Sequence, residues 1–174
     1  HVIGRCRGRA EWGARALGNR SILCHPARGQ NIHRINKAVK MRDFWMPFCP
    51  SILDTHAEKY LDNPRNRRAP FMILAFDSLE KARKDIICGL HPFDLTARPQ
   101  IVEESVNPLY YRLLKKFEAR TGIGGVVNTS FNLHGLPMVN DAEDALHVLL
   151  NSELDYVTLE NRLLCKKGKK KDSA

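Results

Sequence analysis

Apolar positions change period along this chain, and each change predicts an element. Residues 2–7 and 20–24 are short, mostly apolar runs of strand length. Residues 31–42 place Ile32, Ile35 and Val39 at helical spacing, with Asn36 and Lys40 side by side on a neighbouring stripe. Residues 42–50 are dense in aromatics but carry Pro47 and Pro50, which exclude a helix interior. An extended segment leading into Ser51, Ile52 and Leu53 is expected there, with its aromatics in the core. Residues 55–61 predict a short helix, and 62–69 an exposed, polar and basic loop. The apolar run 71–76 predicts a central strand, and 79–87 a weakly patterned helix. Residues 94–102 join a polar turn to the start of a strand.

The clearest helix is 108–121, where Leu109, Leu113, Leu114 and Phe117 recur at helical spacing and Gly122 follows the end. A buried strand over 124–127 runs into the small polar cluster Asn128, Thr129, Ser130. Asp141 is an N-cap for a helix over 141–151, and Asp144, three residues on, resembles a capping box. Residues 156–159 and 162–165 form a hairpin over Glu160 and Asn161. Strands and helices interleave while some neighbours are hairpin-like, so the expected fold class is α/β (α+β) with a mixed sheet. Residues 1–165 read as one domain without internal repeats, and 166–174 as a basic, disordered tail.

The net charge of +9 draws anionic partners. Five lysines of the tail account for part of it, leaving about +4 on the body. That excess suits a phosphate pocket as well as it suits nucleic acid. No apolar run is long enough to span a bilayer, and no signal peptide opens the chain. The start at His1 reads as a piece cut from a longer protein. The five cysteines are scattered without a CxxC pair, which suggests neither a zinc site nor a disulfide framework and fits a reducing cytoplasm. Cys24, Cys49 and Cys165 stand in or beside apolar strand-like stretches, where cysteine behaves as a small hydrophobe. His91 and His134 have no HxxxH spacing, so no metal site is expected in this domain.

Candidate chemistry concentrates in residues 8–24. This stretch holds Arg9, Arg15 and Arg20, the carboxylate Glu11, and Gly8, Gly13 and Gly18. Glycine permits tight turns around a small anion, and guanidinium offers a planar fork matched to phosphate or carboxylate oxygens. Strand 20–24 would anchor such a loop to a sheet.

The run from Gly8 to Leu23, Asn36 to Leu53, Asp94 to Val102, Asn107 to Phe117 and Val127 to Val139 resembles the C-terminal domain of the NodU/CmcH/TobZ family of O-carbamoyltransferases. The family pattern is close to GRxEWGPRALGNRSIL, NxxxKxRExWRPFAPSIL, DGTARPQxV, NPxYYxLLxxF and LNTSFNxxGEPIV. The resemblance implies a YrdC-like twisted mixed β-sheet with flanking helices. It also implies formation of carbamoyl-adenylate from ATP and carbamoyl phosphate, with Mg2+. A Kae1-like N-terminal domain of the same chain would pass the carbamoyl group to a hydroxyl acceptor. Carried over by motif, the catalytic residues are Lys40, Arg15 and Ser130, and the substrate- or nucleotide-binding residues are Arg98, Asn128 and Thr129. Arg9 and Arg20 rank second, since either could instead pair with Glu11 or cap the loop. The chain departs from the pattern at Ala14 (Pro), Asp43 (Glu), Met46 (Arg), Cys49 (Ala), Leu95 (Gly) and Leu136 (Glu). Leu136 removes a carboxylate near Asn128 and Ser130, which bears on metal handling.

Two other readings compete. An RNA-binding module of the same fold would use the basic surface, but the motif cations sit among glycines and apolar residues, as a pocket requires, and nucleic acid is not the expected partner. A nucleotide-binding fragment, inactive without its partner domain, would bind ATP without releasing pyrophosphate.

Overall fold

A computed structural model of the protein describes residues 1–36, 39, 43 and 45–166. Seven strands form one mixed sheet: β1 (Val2–Cys6), β2 (Arg20–Cys24), β3 (Cys49–Leu53), β4 (Gln100–Val102), β5 (Gly125–Ser130), β6 (Tyr156–Leu159) and β7 (Arg162–Cys165). Their spatial order is β4-β3-β5-β2-β1-β6-β7. The pairs β3/β4 and β1/β6 are parallel, and the remaining neighbours antiparallel. Among the described residues, the α-helices are α1 (Gly29–Ile35), α2 (Ala57–Tyr60), α3 (Glu80–Asp85), α4 (Pro108–Thr121) and α5 (Ala142–Leu150). The expected α/β fold with a mixed sheet is therefore present.

Period-2 alternation divides the strands between two cores. Val2, Cys6, Ile22, Cys24, Val127 and Val157 face one side and pack with Ile35, Ala145, Val148 and Leu149 of α1 and α5. Leu23, Leu53, Val102 and Val126 face the other and pack with Tyr110 and Leu114 of α4. A third cluster joins Ile52 and Ile101 to Tyr60, Ala82 and Ile86.

Local signals explain the helix ends. Asn107 caps α4 by accepting from Tyr110 N–H at 3.1 Å, and Pro108 opens the first turn. Gly122, at φ 74°, closes the helix with its N–H on Glu118 O. Asp141 accepts from the N–H groups of Glu143 and Asp144, while Asp144 reaches back to Asn140 N–H at 2.9 Å. The expected capping box is thus met with a shift of one residue, Asp144 accepting from the residue before the N-cap.

Three expectations need correction. The run 71–76 is not a central strand: only Phe76 pairs, in an isolated bridge with Ala97, and Ile73 is 67% exposed. Met72 has φ 56°, a left-handed turn through which no ladder can pass, so the run supplies Met72 and Phe76 to the interior and leaves Phe71 and Ile73 outside. Among the aromatics of 42–50, Phe48 is buried but Trp45 is 53% exposed. A turn closed by Met46 N–H on Asp43 O lifts the indole out of the core. Cys165 is exposed on the edge strand β7 and is not packed like Cys24 and Cys49. The helix expected over 31–42 begins earlier, at Gly29; most of its second half, and the tail residues 167–174, lie outside the described residues. Among the described residues, no helix is long and apolar enough to cross a membrane.

Candidate functional site

The candidate site forms where β5 ends beside the starts of its neighbours. Register sets Ser130 opposite Ser21 on β2 and Asn128 opposite Cys49 on β3. Asn128 and Ser130 alternate with Val126's successor Val127, so they share the sheet face on which Val126 meets α4. On β3 and β4, Ser51 pairs with Gln100 in the parallel ladder.

These positions build a buried polar network. Ser51 Oγ donates to Gln100 Oε1 at 2.7 Å, and Asn128 Nδ2 donates to Ser51 Oγ at 2.9 Å and to Gln100 Oε1 at 3.3 Å. The network also reaches the loop between β1 and β2. Asn128 Nδ2 donates to Ala16 O at 3.1 Å, and Gln100 Nε2 donates to Leu17 O at 2.8 Å. Asn128 Oδ1 is buried without a hydrogen-bond partner among the described residues, and the Tyr110 hydroxyl is buried beside Ser51 and Asn128. Burial pushes the Tyr110 phenol well above its ordinary pKa, so it stays protonated.

The loop itself, residues 7–19, is held from every side. Glu11 Oε1 accepts from the N–H groups of Leu17, Asn19 and Arg20 at 2.7, 2.6 and 3.3 Å. Gly18 donates its N–H to Ser21 Oγ, and its carbonyl accepts from Arg5 Nη1. A Cβ on Gly18 would lie 2.5 Å from the Tyr110 ring, and its φ of 117° suits glycine. The backbone from Ala16 to Asn19 is therefore held, while residues 12–15, Arg15 among them, stay exposed.

Arg15, Arg98, Asn128, Thr129 and Ser130 come together. They line one narrow cavity of about 50 Å³ with Ala14, Ala16, Cys49 and Met72. No carboxylate lies within 4.0 Å of either arginine among the described residues, and Arg98 Nη2 meets only Cys49 Sγ, at 3.2 Å. Two uncompensated guanidiniums beside a hydroxyl and an amide make an anion site in physical terms.

The remaining sequence candidates lie elsewhere. Arg20 is buried and spends its donors on the carbonyls of Asn140, Arg7, Asn19 and Gly8 at 2.9 to 3.2 Å, so it clamps the loop base and does not face the cavity. Arg9 is exposed on the loop and is not part of the cavity wall. Lys40 lies outside the described residues; Val39 before it accepts from His134 N–H, four residues after Ser130. Ser51, Gln100, Cys49 and Met72 were not predicted. A signal existed for Gln100, which closes the TARPQ run and is polar at the start of a buried strand.

Among the described residues, no three His, Cys, Asp or Glu side chains gather into a cluster, and the cavity wall carries no carboxylate. Leu95, which stands at the family's glycine position, has φ 61°, the left-handed conformation glycine adopts without strain.

Comparison with known proteins gives a consistent picture. The family described as carbamoyltransferase C-terminus matches residues 1–166. An uncharacterized protein of Methanocaldococcus jannaschii is 41% identical over 96% of this chain and 27% of its own length. Nodulation protein NolO of Bradyrhizobium diazoefficiens is 39% identical over 88% of the chain and 28% of its own. The 3'-hydroxymethylcephem-O-carbamoyltransferase of Amycolatopsis lactamdurans is 32% identical over 82% and 26%. The chain spans between a quarter and a third of the length of these relatives.

Proposed function

The chain belongs to the carbamoyltransferase C-terminus family, and on that premise we propose that it is the carbamoyl-activating part of an O-carbamoyltransferase. Water cleaves carbamoyl phosphate to carbamate and phosphate. A carbamate oxygen then attacks the α-phosphorus of ATP, forming carbamoyl-adenylate as the bond to pyrophosphate breaks. Another region of the full-length protein, Kae1-like and N-terminal, would pass the carbamoyl group to a hydroxyl acceptor. The named activity of the cephem relative supports the reaction class.

One observation carries the reading: two arginines without acidic partners converge with Asn128 and Ser130 on a cavity of about 50 Å³. A cavity of that volume holds several waters, since one needs about 10–15 Å³ of it, and so admits a carbamoyl-sized group; the nucleotide would extend outward past the exposed Arg15. Catalysis at the α-phosphate is mainly alignment and charge neutralisation. Arg98, half-buried, would hold the carbamate oxygens, and Arg15 would neutralise the α-phosphate. Ser130 Oγ, now donating to Asn132 Oδ1 at 2.7 Å, and Asn128 would orient the carbamoyl group. Lys40 would act as a movable charge on the outer phosphates.

The test is calorimetric titration of Mg-ATP with carbamoyl phosphate present, combined with a pyrophosphate assay. Wild type is expected to bind ATP saturably, with affinity weakened about tenfold or more by Lys40→Ala or Arg98→Ala. Pyrophosphate release marks catalysis. Binding without release in this chain, with release restored by the full-length protein, would assign completion of the site to the remaining region. Absence of both in the folded full-length protein would overturn the assignment, and RNA binding that survives Arg15→Ala would replace it.

A further inference from the structure

On the same sheet face, a second cleft separates α4 from β1 and β6. It encloses about 440 Å³ and is lined by Arg5, Arg7, Arg112, Lys116, Thr158 and Asn161, with Leu109, Leu113 and Glu160 completing the wall. Its size falls in the range of small-ligand pockets, roughly 300–1,000 Å³. None of its residues lines the cavity of Arg15 and Arg98.

Charge in this cleft is one-sided, with four cations against one carboxylate. The carboxylate is already committed. Glu160 Oε1 accepts from Gly8 N–H at 2.6 Å, and Glu160 Oε2 lies 3.8 Å from Arg7 Nε. Arg7 also donates to Asn161 Oδ1 at 2.8 Å. Arg5, Arg112 and Lys116 have no acidic partner among the described residues. Arg112 and Lys116 stand four residues apart on α4, a like-charge spacing that destabilises an isolated helix.

Arg5 is the least ordinary of these groups. It is only 5% exposed, and a guanidinium buried without a counter-charge is costly. Of its five donors, one goes to Gly18 O, and its cation lies 5.7 Å over the Tyr110 ring. Burial pulls its pKa below the ordinary arginine value, although arginine stays charged at neutral pH. Thr158 pairs with Arg5 across the parallel β1/β6 ladder, and its hydroxyl, which also lines the cleft, donates to Gly4 O at 3.4 Å. Leu109 and Leu113 give the slot an apolar wall as well. Two arginines, a lysine, a hydroxyl and an amide around an apolar wall match a small phosphate-bearing molecule. A flat protein partner would not need a cation sunk this deeply.

We propose that the cleft between α4 and β1/β6 is a second anion site, which binds a small phosphate-bearing ligand independently of the Arg15–Arg98 cavity. Because Arg5 also holds the Gly18 carbonyl, this site adjoins the loop that carries Arg15 without sharing a side chain with the first cavity.

The experiment is a pyrophosphate titration of the 174-residue chain at low ionic strength, followed by amide NMR shifts. Saturable shifts are expected at Arg5, Arg112, Thr158 and Asn161. Their apparent affinity should survive Arg15→Ala/Arg98→Ala and weaken about tenfold or more in Arg112→Ala/Lys116→Ala, as loss of two charge-assisted contacts implies. Both replaced side chains of the second variant are exposed, so the fold is kept. Shifts confined to the first cavity would overturn the proposal, as would non-saturating shifts spread over the whole basic surface. A poly-glutamate peptide that saturates the cleft more tightly than pyrophosphate would overturn it too, and would make the cleft a protein-docking surface.

Discussion

Gln100 ties three strands to the arginine-bearing loop, and Gln100→Leu measures that tie. Its side chain is 5% exposed, donates to Leu17 O at 2.8 Å, and accepts from Ser51 and Asn128 at 2.7 and 3.3 Å. Leucine fills much of the volume but makes none of these bonds. The Leu17 carbonyl and the Ser51 hydroxyl would then be left short of partners. At about 1–3 kcal/mol for each of these two unsatisfied buried groups, the expected loss is about 2–6 kcal/mol. Set against a typical total of about 5–15 kcal/mol, that is large enough to read by urea denaturation. Ser51→Ala removes one of the stranded groups. The double variant should therefore cost less than the sum of the two single variants, with a coupling of about 1 kcal/mol. Hydrogen exchange adds a local readout: amides of residues 16–19 should lose protection before those of β5 do. A loss below about 1 kcal/mol, additive with Ser51→Ala, would refute the claim that the network holds the loop.

Two shorter predictions concern backbone and pH. Leu95 sits at φ 61°, which costs an L-residue about 1–2 kcal/mol, and its side chain is only partly buried against the Phe76 cluster. Leu95→Gly relieves that strain while losing some packing, so thermal denaturation should show a change within about 1 kcal/mol of zero, where a fully buried leucine would cost more. His56 packs under Gly124 and lies 3.3 Å from Glu118, yet burial outweighs that carboxylate and holds its pKa below the ordinary imidazole value. The fold thus favours neutral His56. Its contribution is complete above the unfolded pKa of about 6.5 and is lost as pH falls through that value toward the folded one. Urea midpoints measured across this window should decline less steeply for His56→Phe than for wild type, and equal slopes would remove His56 from the account.

Elements with their own punctuation were legible in the sequence. Asn107, Pro108 and Gly122 bracket α4, and Glu160–Asn161 separates β6 from β7, so local capping and turn chemistry sufficed there. The apolar run 71–76 was misread because continuous hydrophobicity does not distinguish a strand from an irregular segment that feeds a core. The left-handed backbone at Met72 leaves no trace in that pattern. The polar network could not be read at all: Ser51, Gln100 and Asn128 meet only through the registers of three strands. Arg15 and Arg20 lie in one motif, and in sequence Arg20 ranks lower because it could pair with Glu11 or cap the loop. The difference between them is orientation, since Arg20 turns onto backbone carbonyls and Arg15 does not.

That difference points to a general division of labour in the loop between β1 and β2. A segment rich in glycine, lacking regular hydrogen bonds, would ordinarily be mobile. Here Glu11, Arg20, Gln100, Asn128 and Arg5 each satisfy one or more of its backbone groups. Those bonds tie the loop to the sheet on both sides of residues 12–15, the exposed stretch that carries Arg15. A cation presented this way need not be ordered when an anion arrives, so the conformational cost is met on folding and not on binding. Within this loop, Arg20 is bonded to carbonyls and builds the site, whereas Arg15, without a carboxylate partner among the described residues, is left for the proposed substrate.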